Sequence, residues 1–231
     1  CIYCYARPTH EYLGFSAGLD FESKIMVKED APELLRKELS SPKWQPQVIF
    51  LSGVTDCYQP VERKLKLTRR CLEVLAEFRN PVFIVTKNRL VTRDIDLLAG
   101  LARHHAVGVL LSITTLDTEL RKVMEPRTSP PAARLAAIRG LANAGIPVGV
   151  NVAPIIPGLT DHEMPAILEA AAEAGATSAG YTVVRLPYAV APLFVKWLAT
   201  HFPDRKEKVL NRIRAMRDGK LYKSEWGACR S

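Results

Sequence analysis

The sequence predicts an α/β fold of parallel strands alternating with helices, and three observations carry that expectation. Five short apolar runs are rich in β-branched residues and nearly continuous, as strands read when helices cover them. Leucines at helical spacing lie between those runs, and strand-to-strand repeats sit near the ~30 residues of a βαβ unit. Polar residues gather just after several runs, where the C-terminal ends of strands would be.

In chain order, Asp30 is placed to cap a helix carrying Leu34, Leu35 and Leu39. The first strand is expected over Val48–Leu51. A helix follows over Val61–Phe78, with Leu65, Leu72 and Leu75 on one face. Strands are then expected at Val82–Val85, Val107–Leu111, Val148–Val152 and Tyr181–Val184. Ser129 before Pro130 and Pro131 looks like a helix start, closed at Gly145. Thr160 and Glu163 have capping-box spacing, and Gly175 closes the helix they would open. No G-x-G-x-x-G follows any strand, so a dinucleotide fold lacks its fingerprint. The polar strand ends (Ser52, Thr55 and Asp56; Thr86 and Lys87; Ser112 and Thr114; Asn151) favour a barrel with its site at that face. One domain core is expected over residues 1–190, with a helical, basic extension over 191–231.

Composition limits the classes open to the chain. At 231 residues with 48% hydrophobic side chains it can build a full core, which argues against disorder. No apolar run reaches the ~18–20 residues of a membrane span. Five cysteines at uneven spacing do not read as a secreted disulfide framework, so a cytoplasmic location is expected. The net charge of +8 is uneven: Lys196–Ser231 holds ten Lys or Arg against four Asp or Glu. Arg63, Lys64, Lys66, Arg69 and Arg70 make a second basic stretch. Solvated helix faces explain both stretches, and contact with nucleic acid is the functional alternative, weakened by the lack of interleaved aromatics.

The chemistry sits at the front of the chain. Cys1-Ile2-Tyr3-Cys4-Tyr5-Ala6-Arg7 contains a C-x-x-C, a spacing shared by zinc sites, dithiol redox pairs and iron–sulfur clusters. A zinc ribbon needs a second ligand pair; Cys57, Cys71 and Cys229 do not supply one at suitable spacing. A thioredoxin-like pair should follow a strand, and none precedes Cys1.

Three motifs in order, C-I-Y-C-Y-A-R-P at the start, S-G-V-T-D-C-Y-Q-P over Ser52–Pro60 and E-P-R over Glu125–Arg127, resemble the radical S-adenosylmethionine (SAM) superfamily, in its branch related to spore photoproduct lyase. The resemblance covers nearly the whole chain. It makes Cys1 and Cys4 the second and third ligands of a C-x-x-x-C-x-x-C motif, with Tyr3 as the aromatic before the last cysteine. The first ligand and first strand would precede Cys1, so the fold implied is a partial parallel (β/α)6 barrel showing five of its six strands. The cofactors implied are a [4Fe–4S] cluster and SAM, cleaved reductively to a 5′-deoxyadenosyl radical that abstracts hydrogen from a substrate. An electron donor such as flavodoxin or ferredoxin is the implied partner. With two of three thiolates, the chain as it stands is expected to be inactive.

The resemblance also suggests roles. Ser52, Gly53, Thr55 and Asp56 would receive the SAM amino group, although Ser, Gly, Thr and Asp also suit an ordinary turn. Lys87 would meet the SAM carboxylate, with a surface lysine as the plain alternative. Ser112 and Thr114 would bind the carboxylate or ribose, Asn151 the ribose, and Arg127 an acidic group. Pro157-Gly158 and Tyr181–Val183 would bring backbone to the adenine edge. Cys57 lies near the position of the lyase's hydrogen-donating cysteine, but after Asp56 where the lyase's comes before its own; a thiol without catalytic role is equally consistent. His10 and Glu11 are candidates for proton handling, and Cys71 for the core. Two other classes remain at this point: a non-catalytic scaffold binding nucleic acid through its basic tail, and a zinc module. A Schiff-base enzyme using Lys87 leaves Cys1 and Cys4 unexplained.

Overall fold

The computed structural model describes residues 1–223. Helices α1 (Leu19–Ser23) and α2 (Ala31–Leu39) lead into β1 (Ile49–Leu51), followed by α3 (Glu62–Leu65), α4 (Leu67–Phe78) and β2 (Val82–Thr86). Helix α5 (Ile95–Ala102), β3 (Val107–Ser112), α6 (Thr118–Met124), α7 (Pro131–Asn143) and β4 (Val148–Ile155) continue the alternation. Helix α8 (Met164–Glu173), β5 (Ser178–Val183), α9 (Val190–His201) and α10 (Pro203–Ala215) complete it. Each of the five strands forms where an apolar run was expected.

The strands pair in parallel in the order β1-β2-β3-β4-β5. Sequential order decides between the two α/β architectures, since a doubly wound sheet reverses direction at a switch point whereas a barrel adds each strand beside the last. The sheet is a partial β/α barrel.

Register separates the two faces of the sheet. Ile84, Val109 and Val148 align across three strands, and Leu111 pairs with Val150. These residues are buried against Leu72 and Leu75 of α4, Leu98 of α5, Ile138 and Leu141 of α7, and Ile167 of α8. Burying each such side chain contributes about 1.5–3 kcal/mol, which is why β-branched runs and leucine stripes pair off as they do. On the opposite face Phe50 stacks on Phe83 with ring centroids 5.8 Å apart. Gly108 lies beside Phe83 there, where a Cβ would come within 2.8 Å of the ring.

Several local expectations failed, among them the cap at Asp30, which stands at the N-cap of α2 without a side-chain hydrogen bond to it. The helix expected over Val61–Phe78 is broken at Lys66, whose φ of 53° turns the chain between α3 and α4. Thr160 and Glu163 form no capping box: the Thr160 hydroxyl accepts from the Ile156 N–H, and Glu163 reaches instead to the Thr115 hydroxyl and the Leu116 N–H. Gly145 and Gly175 do follow their helices in the left-handed conformation.

Beyond β5, α9 and α10 build a second apolar cluster. Phe194, Trp197 and Leu198 pack with Val209, Leu210 and Ile213, and the same cluster includes Tyr3, Leu120 and Met124. The C-terminal helices thus pack with the turn that carries the cysteines. No helix among the described residues is long and apolar enough to cross a membrane.

Candidate active site at the strand ends

The cysteine turn is short and anchored. Cys4 N–H donates to the Cys1 carbonyl at 3.3 Å, and Ile2 N–H donates to the Met124 carbonyl at the end of α6 at 3.0 Å. The buried Arg7 guanidinium donates from two nitrogens to the Cys1 carbonyl, at 3.1 and 3.3 Å. Cys1 and Cys4 are half-buried free thiols. Among the described residues no set of three or more His, Cys, Asp or Glu side chains converges as a metal site. The turn therefore offers two thiol donors, a chemistry that fits part of a cluster's ligand set.

Tyr3, between the two cysteines, points inward. Its hydroxyl donates to Glu125 and lies 3.3 Å from the Thr114 hydroxyl. Glu125 is fully buried just past α6 and divides its two oxygens between separate partners. Oε2 faces Arg134 at 2.5 Å. Oε1 faces Tyr3, Thr114 at 2.9 Å and the Lys87 ammonium at 3.1 Å. Arg134, itself buried on α7, also donates to the Ser112 carbonyl at 2.8 Å and the Ser129 carbonyl at 2.7 Å. Ser129 thus does not cap α7; its hydroxyl donates to Asn88 Oδ1 and accepts from the Arg89 N–H.

Lys87, just past β2, donates to the Ala153 carbonyl at 2.6 Å and to Thr114 at 3.1 Å as well as pairing with Glu125. An ammonium has three donors; two are spent on Ala153 and Thr114, and the group lies in ion-pair range of Glu125. Burial holds Lys87 well below the ordinary lysine range; the Arg134 guanidinium adds to the depression, while Asp56 and Cys4 oppose it. Two basic side chains, Lys87 and Arg134, converge on one carboxylate here, and an incoming anionic group would favour the charged form of Lys87.

The loop after β1 reaches the same place. Ser52 sits at a φ of 112°, a conformation rarely open to residues with a side chain. The Gly53 carbonyl accepts from the Tyr5 hydroxyl at 2.9 Å, joining this loop to the cysteine turn. Asp56 pins the loop to the end of β2: Oδ1 accepts from Thr86 at 2.7 Å and from the Tyr58 N–H at 2.9 Å, and Oδ2 from the Lys87 N–H at 2.8 Å. Thr55 is exposed and bonded to Gln59. Cys57 packs against the main core, its carbonyl held by Thr68, and burial pushes its thiol far up, with the Asp56 carboxylate adding to the shift.

Ser112 and Asn151 are partners across the β3–β4 register. Asn151 is half-buried, with its Oδ1 against Gly180. Arg127 lies outside this cluster: it is exposed and donates to the Glu22 carbonyl. Gly158 lies beneath Val209 and Arg212 of α10, and Tyr181 is exposed in register with Val152. His10 also lies apart, with Nε2 2.9 Å from the Lys24 carbonyl and its ring 4.9 Å from that of Phe21. Cys71 is on α4, and Cys229 lies outside the described residues. The structure thus joins Tyr3, Lys87 and Thr114 directly and adds Asp56 through the Lys87 backbone. Sequence reasoning missed Glu125 and Arg134 as the residues that hold the group together; E-P-R drew attention to Arg127, two positions on.

The sequence pattern of the Radical SAM superfamily matches residues 1–171. The chain belongs to the radical SAM superfamily. Among curated relatives, an uncharacterized protein of Mycobacterium tuberculosis is 38% identical over 206 residues, covering 88% of this chain and 61% of its own length. Another, from Methanocaldococcus jannaschii, is 33% identical over 71% of this chain and 58% of its own. A Pseudomonas phage M6 protein named radical SAM Nalpha-GlyT isomerase is 25% identical over 92% of this chain and 42% of its own. The chain spans about three fifths of the length of the mycobacterial relative. Among solved structures, a spore photoproduct lyase variant with bound AdoMet and dinucleoside spore photoproduct superposes with a TM-score of 0.62 at 17% identity, covering 95% of this chain and 71% of that one. A second, with dinucleoside spore photoproduct, gives 0.59 at 20% identity, covering 88% of this chain and 57% of that one. The radical SAM barrel fold of this chain matches theirs.

Proposed function

We propose that this chain is the catalytic barrel of a radical SAM enzyme acting by hydrogen abstraction, with Cys1 and Cys4 as two cluster ligands. The observation that carries the reading is the docking of the cysteine turn, through Tyr3, onto Lys87, Thr114 and Glu125 at the strand ends. When bound, the [4Fe–4S] cluster and SAM supply the 5′-deoxyadenosyl radical. The chain's own residues bind and orient. Two thiols are held on one turn, and Lys87 beside Arg134 offers N–H donors suited to the carboxylate of SAM. Such a carboxylate would share or replace one of the contacts Lys87 makes to Ala153, Thr114 and Glu125. The Gly53 loop carries exposed backbone beside the turn, suited to the SAM amino group. Cys57 keeps its thiol hydrogen at neutral pH, a requirement for any hydrogen donor, although its packing against the core serves a structural role equally well.

The test is anaerobic reconstitution of the full-length protein with iron and sulfide, followed by low-temperature electron paramagnetic resonance with and without SAM. A [4Fe–4S] signal altered by SAM, abolished in Cys4→Ala and intact in Cys71→Ala, is expected. No cluster, or one indifferent to SAM, would overturn the reading.

A nucleic-acid partner is a second element of the proposal, favoured by one surface. The loop after β5 holds Tyr188 at a φ of 44° and 72% exposed, with its ring 5.7 Å from Tyr222. The Arg185 guanidinium lies 5.5 Å from the Tyr222 ring centroid. Residues 185–223 hold ten Lys or Arg against three Asp or Glu. An exposed ring, Tyr188, beside the half-buried Tyr222 and cations suits stacked bases and phosphates.

A further inference from the structure

The Glu125 carboxylate joins four separate elements at one point. Tyr3 comes from the cysteine turn, Lys87 from the end of β2, Thr114 from the end of β3 and Arg134 from α7. Its oxygens divide the work. Oε2 is anchored on Arg134, whose other nitrogens grip the Ser112 and Ser129 carbonyls, so this end is fixed to the β3 and α7 framework. Oε1 receives the three groups that face the candidate site. The turn's other ties are the Ile2 N–H to the Met124 carbonyl, Arg7 to the Cys1 carbonyl and the Tyr5 hydroxyl to the Gly53 carbonyl, none of which reaches Lys87 or Thr114. Tyr3, between the two cysteines, supplies the side-chain bond that sets the turn against those strand-end residues.

We infer that Glu125 is a positioning residue: through Tyr3 it fixes the orientation of the Cys1–Cys4 turn relative to Lys87 and Thr114. The inference deepens the proposed function, since the turn it orients is the proposed cluster turn. The docking itself needs no cofactor. A carboxylate suits the task because it accepts from the tyrosine hydroxyl while pairing with the lysine. An amide of the same shape keeps the volume but puts a donor where one of these donors points, leaving a buried clash of polarity.

The experiment measures alkylation of Cys4 by iodoacetamide in the metal-free protein, with Cys71 on α4 as internal reference. Glu125→Gln and Tyr3→Phe are each expected to speed Cys4 alkylation about tenfold, the effect of a coupling near 1.4 kcal/mol. The double variant should be no faster than Glu125→Gln alone, and Cys71 should not change. Three results would overturn the inference: an unchanged Cys4 rate in Tyr3→Phe, a double variant equal to the product of the singles, or a parallel rise at Cys71, which marks general loosening. Should Glu125→Gln fail to fold, Tyr3→Phe decides alone, since it removes only the hydroxyl that Glu125 accepts from, and an unchanged Cys4 rate there overturns the inference. In the reconstituted full-length protein, Glu125→Gln should keep its cluster and weaken the spectral response to SAM about tenfold in SAM concentration. A wild-type protein that takes no cluster would sink the proposed function while the thiol rates still decide the role of Glu125.

Discussion

Glu125 and Arg134 look unremarkable in the sequence, one in a polar loop after a helix and the other on a helix of alanines. Their partners are remote: Tyr3 is 122 positions from Glu125, and Ser112 is 22 from Arg134. A local pattern cannot separate a buried charge from a solvated one, because what distinguishes them is who stands opposite after folding. Lys87 and Thr114 were legible because they directly follow apolar strands, where barrel sites are built. Asp56 was legible as a site residue, yet its carboxylate serves the loop, accepting from Thr86, Tyr58 and Lys87. The thiols differ in the same context-dependent way. Burial raises Cys57 beyond Cys71, whose thiol is pushed up to about 11. Reaction follows the thiolate, so at pH 8 both should alkylate more than about a hundredfold slower than a free cysteine of pKa ~8.5. Stopped alkylation read by mass spectrometry checks this, and fast labelling of Cys57 at pH 8 would contradict its burial.

Among the elements, β2, β3 and β4 followed their sequence signals as buried strands. Strand β1 is only partly buried and β5, which begins at Ser178, is largely exposed, because strands at the two edges of the sheet have a neighbour on one side only. Breaks and caps did not follow their signals. Lys66 interrupts α3 and α4 without a glycine or proline to announce it, and the Glu163 carboxylate left its expected cap for the Thr115 and Leu116 donors after β3. Tertiary partners outbid a local cap worth about 1 kcal/mol. Sheet spacing makes a sharper prediction at Gly149. A Cβ there would lie 2.6 Å from the Ser178 carbonyl oxygen and 2.7 Å from Leu110 Cδ2, and backbone cannot swing aside as a side chain can. Gly149→Ala should destabilise the protein by about 1–3 kcal/mol, seen as a lower urea midpoint with an unchanged slope. A neutral result would mean that β4 and β5 separate at no cost.

At the scale of the whole molecule, two apolar clusters divide the labour. The larger lies between the sheet and α4, α5, α7 and α8; the smaller joins α9 and α10 to Tyr3, Leu120 and Met124. Charge is divided too. Arg69 is engaged by Asp94 and Asp96, and Arg70 pairs with Glu33, so the basic stretch before β2 is partly neutralised within the fold. The C-terminal stretch keeps a larger excess, and its Tyr188 and Tyr222 rings meet. If it meets single-stranded nucleic acid as proposed, the affinity should fall linearly in log–log form with added salt, and Tyr188→Ala should cost about 1–3 kcal/mol. Fluorescence anisotropy with a labelled oligonucleotide reads both, and binding indifferent to salt would remove this partner.

By itself the sequence determined the α/β class, the positions of all five strands, the cysteine turn and the superfamily, because each rests on short-range periodicity or contiguous motifs. Only the tertiary structure decided that Glu125 and Arg134, rather than Arg127, hold the strand-end residues together. It also brought the Tyr188 and Tyr222 rings of the basic C-terminal stretch together. The physical reason is the same in both cases: hydrogen bonds, ion pairs and ring contacts reward proximity in space, and proximity across a hundred residues is set by packing.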